Sequence, residues 1–350
     1  MKFRLLACGV LAFLIACGRA SSTEEVSISF AWSYHAGDYV RGTPAVGNGI
    51  VYIGADDNAL HAVDADTGEL IWRFETADNV TSSPAIYEDV VCFGSWDGSI
   101  YALDGKRGDV LWQYETDGWV TASLAMRDGV VYVGSNDGFL YALSAEDGDL
   151  VWRYETDGRI EAAASLSGDL AFVGSSDNYL HALDIASGEL QWRYRTGGDI
   201  LSAPAVSDGT VYVGSIDRKL YALDAATGLL RWTFEAEYAI ESTPVIANGM
   251  VYVGANDGRL YALRVRDGRL IWQYQATDMI RSSPAVWERF VFVGSDDGYI
   301  YGLDRKTGAL AWRYRTGNAI VGGPVVSAGK LYVGSIDGRL HAFRLGSEQE

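Results

Sequence analysis

A tryptophan every forty residues constrains this chain more than any other feature. Trp32, Trp72, Trp112, Trp152, Trp192, Trp232, Trp272 and Trp312 share one phase, with no insertion between any two. Asp57, Asp97, Asp137, Asp177, Asp217, Asp257, Asp297 and Asp337 share another, each preceded three residues earlier by a glycine, from Gly54 to Gly334. All six prolines fall in a third phase, which Leu124 and Ala164 fill in the two remaining copies. A period of about 40 residues with strand-like content indicates propeller blades, because each unit is a small sheet that buries its faces only against its neighbours.

Each repeat reads as four short strands. Over residues 123–157 the strand segments are "SLAM", "VVYVGS", "FLYALS" and "LVWRYE". The turns between them, "RDG", "NDG" and "AEDGD", hold the Gly and Asp that tight hairpins favour. No segment carries an amphipathic helical period. The register is offset: "SISFAWSYH" has no partner strands before it, and "GPVVSAGKLYVGSIDGRLHAF" stops before its own tryptophan strand. Joining the two predicts an all-β chain over residues 28–350, a single eight-bladed β-propeller of four-stranded blades. The N-terminal strand completes the last blade, which removes the open edges that invite aggregation.

The repeated positions read as architecture. Each Trp is expected to pack between blades, against the Gly of the preceding Thr-Gly turn, where a missing Cβ lets the indole approach. The Asp57 series reads as turns in which Asp accepts from backbone amides; the further oxygen ligands and closing Glu of a calcium loop are missing. His61, His181 and His341 occupy a phase that is Tyr in the other five copies, and are expected to be packing residues with a polar tip. No Ser-His-Asp or Cys-His pairing is visible. Cys92 stands where the other copies have an aromatic, which predicts a buried, inert thiol. Cys8 and Cys17 are the only others, so there is no disulfide framework, zinc cluster or haem attachment sequence.

The net charge of −18 argues against nucleic acid, whose phosphates call for Lys and Arg, and against docking by charge onto anionic lipid. The N-terminus carries an address. Lys2 and Arg4 precede an apolar run, Leu5 to Ile15, that is too short to span a bilayer, for which about 20 residues are needed. Leu14-Ile15-Ala16-Cys17 resembles a bacterial lipobox. Residues 1–16 are expected to be a lipoprotein signal peptide, and residues 17–27 the lipidated Cys17 with a polar tether. Loss of Lys2 and Arg4 with the signal takes the net charge from −18 to −20. The alternatives are a plain signal peptide with an incidental Cys, or an uncleaved anchor. Gly18 after the Cys, rather than Asp, points to the outer membrane, facing the periplasm, if the cell is Gram-negative, and otherwise to the cell surface.

Variation between copies concentrates in the connectors from each fourth strand to the next blade: "GDYVR", "ADNVT", "DGWVT", "DGRIE", "GGDIL", "EYAIE", "TDMIR" and "GNAIV". Because strands alternate direction, these share a face with the hairpin after the second strand. Tyr39, Arg41, Trp119, Arg159, Glu161, Tyr238, Glu241, Met279 and Arg281 make an irregular patch on a regular scaffold, which suits a partner or ligand. Drift on exposed turns is the competing reading, with Glu241 and Arg281 forming a salt bridge between adjacent blades.

Seven copies of a motif run from Ala62–Trp72 to Gly302–Trp312, as in "AVDADTGELIW" and "ALDAATGLLRW", with Ser144 and Arg264 replacing its Asp and Arg107, Asp147 and Asp267 its Thr. On these residues the chain beyond the tether resembles the PQQ-like eight-bladed β-propeller repeat family. The resemblance to lipid-anchored members with no extra domain implies a non-catalytic envelope scaffold, monomeric as a propeller, with envelope or outer-membrane proteins as partners. The family's dehydrogenases imply the alternative, a ligand-binding or quinoprotein channel face with PQQ, calcium and an acidic base. They commonly carry adjacent cysteines, absent here, and Glu161 and Glu241 lie two blades apart. No cofactor is therefore expected.

Overall fold

The apolar runs of each repeat become its inner strands. In the third repeat, Val130–Gly134 and Phe139–Ser144 are buried almost throughout, whereas Leu150–Glu155 alternates and faces solvent. A computed structural model describes residues 27–346. Among them are 32 strands in eight four-stranded antiparallel sheets. Each sheet is one blade, and we number blades first to eighth from residues 45–75 onward.

The eighth blade is composite. Its strands Val325–Ser327, Lys330–Ser335 and Arg339–Leu345 are completed by Ile28–His35, which pairs antiparallel from Ile28↔Leu345 to His35↔Arg339. The ring therefore closes as the offset register predicts. The first strands of consecutive blades meet around the axis, with 325–327 against 45–47. A hydrogen bond from the Gly323 amide to the Thr43 hydroxyl, 2.8 Å, crosses the closure. First strands are shorter than the sequence suggests: in the third blade pairing begins at Ala125, two residues into "SLAM".

Tryptophan forms the seams between blades as expected, but on a different Thr-Gly turn from the one expected. The indole packs on the Thr-Gly turn of the following blade, not on the preceding turn. Trp152 shows why. A Cβ at Gly188 would lie 2.6 Å from the Trp152 ring, and φ there is +72°. The indole Nε1 donates to the Ile185 carbonyl at 3.1 Å, while Tyr132 lies beside the ring at 5.7 Å. The turn preceding Trp152 belongs to its own hairpin, so a ring pointing across the seam meets the next blade. Trp32 docks likewise on Gly68 and donates to Ala65. Trp312 packs edge-on against Phe343 of the eighth blade at 5.2 Å, and the position matching Gly188 lies outside the described residues.

The repeated Gly before each Asp has its own reason. A Cβ at Gly134 would meet Ile160 at 2.1 Å, so the connector of the next blade lies directly on that glycine. Cys92 is fully buried, and burial pushes its thiol far above the usual range.

The Asp57 series does accept backbone amides, and it also holds the third strand. Asp137 takes the Phe139 amide at 2.9 Å, the Asp117 amide of the connector at 3.1 Å and the Tyr141 hydroxyl at 2.8 Å. His takes over the Tyr role: His61, His181 and His341 sit 3.1, 2.9 and 3.2 Å from Asp57, Asp177 and Asp337. Burial alone would raise the Asp177 carboxyl, but His181 and the Tyr179 and Asp157 amides hold it below the usual carboxylate range. These histidines are structural staples rather than simple packing residues.

Candidate functional site on the connector face

Connectors and second-strand hairpins share one face, as strand alternation requires. Backbone bonds tie them in each blade, including Asp56 to Tyr39, Asn136 to Trp119 and Asp296 to Met279, all at 2.9 Å. Tyr39, Trp119, Tyr238 and Met279 are exposed there, Trp119 at 51% and Tyr238 at 62%.

The residue ending each connector faces the hairpin residue fifteen positions later, and their chemistry is matched. Arg41 meets Asp56 at 2.7 Å, Arg281 meets Asp296 at 2.7 Å, and Glu241 accepts from Asn256 at 2.6 Å. The bridge between Glu241 and Arg281 is thus not the arrangement found: each takes its partner within its own blade. Burial raises Asp56 and Asp296 above the usual carboxylate range, and the hydrogen-bonded Arg41 and Arg281 oppose it. One carboxylate oxygen of each Asp, the Asn256 carbonyl and the Arg281 Nε are buried without a protein hydrogen-bond partner. Buried polar atoms are normally satisfied, so these mark places for water or ligand atoms.

Sequence reasoning missed Trp96. Its ring stacks on Trp119, with centroids 5.0 Å apart and planes 10° from parallel, and its Nε1 donates to Thr81 at 2.7 Å. The signal was available: Trp96, Trp119 and Trp287 are the three tryptophans outside the repeated phase. Beside the stack lies a cavity of about 450 Å³, lined in part by Trp96, Trp119, Asn136 and Arg159. A second cavity of about 410 Å³ brings Arg41, Trp119, Arg159 and Glu161 together with Trp96 and Thr121. Arg159 stands 3.7 Å from Glu161, with its side chain 64% exposed. Tyr238, Glu241, Met279 and Arg281 share the face but line neither cavity.

A ring of eight four-stranded blades with a tryptophan at each seam defines the class, a propeller of PQQ-like repeats. The family described as "Outer membrane protein assembly factor BamB" matches residues 20–122, 116–204, 196–285 and 278–347, and the chain belongs to it. No curated protein matches the sequence. Among solved structures, BamB from Moraxella catarrhalis superposes with a TM-score of 0.80 at 22% identity, over 91% of this chain and 100% of that one. The computationally designed Ika8 protein gives 0.81 at 19% identity, over 90% and 99%. Quinohemoprotein alcohol dehydrogenase from Comamonas testosteroni gives 0.77 at 17% identity, over 92% and 77%. At these identities the superpositions establish the fold.

The dehydrogenases raise PQQ and calcium. Calcium takes six to eight oxygen ligands. Among the described residues no three of His, Cys, Asp and Glu converge to hold a metal. The acidic residues at the channel already have partners: Asp56 and Asp296 hold arginines, and Glu241 holds Asn256. Cys92 is sealed in a blade core. The residues present do not fit that cofactor pair.

Proposed function

We propose that this chain is a non-catalytic, lipid-anchored envelope scaffold that captures a protein partner on its connector face, in outer-membrane protein assembly. Membership of the BamB family along the whole propeller carries this reading. In it, residues 1–16 are the export signal and Cys17, outside the described residues, is lipidated in the outer membrane facing the periplasm. The exposed Trp119 and Arg159, with Tyr39, Tyr238 and Met279 elsewhere on the same face, supply residue types that dominate binding hot spots.

A second reading is a small-molecule or glycan site at the channel face, which the cavity of about 410 Å³ and the unpartnered polar atoms favour; the quinoprotein dehydrogenase alternative lacks residues that fit its cofactor pair. One preparation separates the two. Purified with its lipid after crosslinking in cells, the chain should carry an outer-membrane protein and show no dye-linked alcohol or sugar dehydrogenase turnover with added PQQ and calcium. Clear turnover without a captured protein would sink the scaffold reading.

A further inference from the structure

The face opposite the connectors carries the first hairpin and the third-to-fourth turn of each blade. Backbone bonds hold these together, as from Arg305 to Arg289 and from Leu345 to Gly329, both 2.8 Å. The tether enters on this face: Gly346, just beyond the last strand, donates to the Ser27 carbonyl at 3.0 Å. The eleven residues from Cys17 to Ser27, ten Cα–Cα steps, reach at most about 35 Å, so a lipid on Cys17 would hold this face near the bilayer.

Charge on this face is segregated. In the turns of the sixth and seventh blades stand Arg264, Arg266, Arg269, Arg289, Arg305 and Lys306, against Asp267, Glu288 and Asp304. The eighth blade, where the tether enters, adds Lys330, which pairs with Asp66 of the first blade, and Arg344, with no acid among its described turn residues; Glu24, Glu25, Glu348 and Glu350 flank it in sequence, outside the described residues. The same turns of the first five blades hold sixteen Asp and Glu against three Lys and Arg. Net charge averages over the two sectors, which is why it argues against lipid when read from sequence. Leu270, Ile271, Leu310 and Phe30 are exposed at the ends of the outer strands beside the basic sector.

Between the sixth and seventh blades lies a cleft of about 230 Å³, lined by Asn248, Met250, Tyr252, Ile271, Arg305 and Lys306. The Arg305 Nε is buried without a hydrogen-bond partner. A guanidinium and an ammonium over an apolar floor suit a phosphate that has hydrocarbon attached. We propose that the basic sector of this face, centred on Arg305 and Lys306, docks on anionic phospholipid, and that the cleft takes one headgroup. One lipid chain and a basic patch are the usual pair of signals for stable membrane seating. Seated this way, the propeller turns its connector face away from the bilayer.

The anchor explains why this sector would meet a membrane, but the test does not depend on it. All eight core clusters lie between Ile28 and Leu345, so a lipid-free chain from residue 18 keeps the whole fold. At low salt it should float with vesicles of phosphatidylcholine plus phosphatidylglycerol, and not with phosphatidylcholine alone. R305E/K306E should weaken this by roughly ten-fold or more, since each surface cation contributes about 1 kcal/mol. R159E on the connector face should leave it unchanged. Soluble glycerol phosphate should not compete, which separates a lipid surface from free phosphate. Absence of flotation, equal loss with R159E, or binding to polyglutamate in place of vesicles would each overturn the proposal. Whether Cys17 is lipidated is a separate result, read by mass spectrometry of the anchored protein.

Discussion

Removing Ser27 to His35 will abolish the cooperative unfolding of the entire ring, not only of one blade. That segment fills the outer edge of the eighth blade and seals its seam to the first. Trp32 covers Gly68 and donates to Ala65, Tyr34 bonds His61 at 2.9 Å, and Phe30 packs on Phe343 and Tyr314. Loss of one large buried aromatic costs about 3–5 kcal/mol. Here the buried Trp32 goes together with the partly buried Tyr34, the packing of Phe30 and a whole strand pairing, against a total stability of about 5–15 kcal/mol for a typical domain. The deletion also bares the edge of Arg339–Leu345, which invites association. Differential scanning calorimetry should show the main transition lost or greatly lowered. An unchanged melting temperature would show that the ring does not depend on this closure.

Trp152→Ala should destabilise the ring by about 3–5 kcal/mol, read by chemical denaturation. The substitution leaves a void over Gly188, removes the donor to Ile185 and strips Tyr132 of its ring neighbour. Gly188→Val attacks the same seam from the other side. Its Cβ would start 2.6 Å from the indole on a backbone at φ +72°, so clash and backbone strain add. The pair should be strongly non-additive, because once the indole is gone the valine fills part of the void. Additive losses would mean that the two residues do not share a seam.

The ring was legible because a forty-residue period and an offset register leave few other closures. The turn that each indole meets was not, since periodicity says that Trp meets a Thr-Gly turn but not whether its own hairpin or the following blade supplies it. The Asp–His and Asp–Tyr staples escaped for a similar reason: Asp177 sits in the hairpin turn and His181 four residues on, in the strand that follows, and only the folded hairpin brings them together. At the site, the exposed connector residues were readable from their departure from the repeat. Trp96 was passed over because it lies in a hairpin that reads as a turn, and its stack with Trp119 joins hairpin and connector segments 23 positions apart. Segregated charge on the opposite face was hidden by the net value of −18.

The structure also changes which substitutions test the connector face. Charge reversal at Arg41 and Arg281 suggests itself from sequence. Both arginines hold largely buried aspartates, so reversal would set carboxylate against carboxylate and confuse unfolding with lost binding. Trp119 and Arg159 are exposed and can be truncated with little effect on the fold. The deciding measurement is recovery of the crosslinked outer-membrane partner by the lipidated Trp119→Ala/Arg159→Ala variant, with its melting temperature measured alongside. The scaffold account predicts an unchanged melting temperature and recovery reduced at least ten-fold, as for loss of an aromatic and an arginine hot spot. Undiminished recovery from a fully folded variant would contradict it.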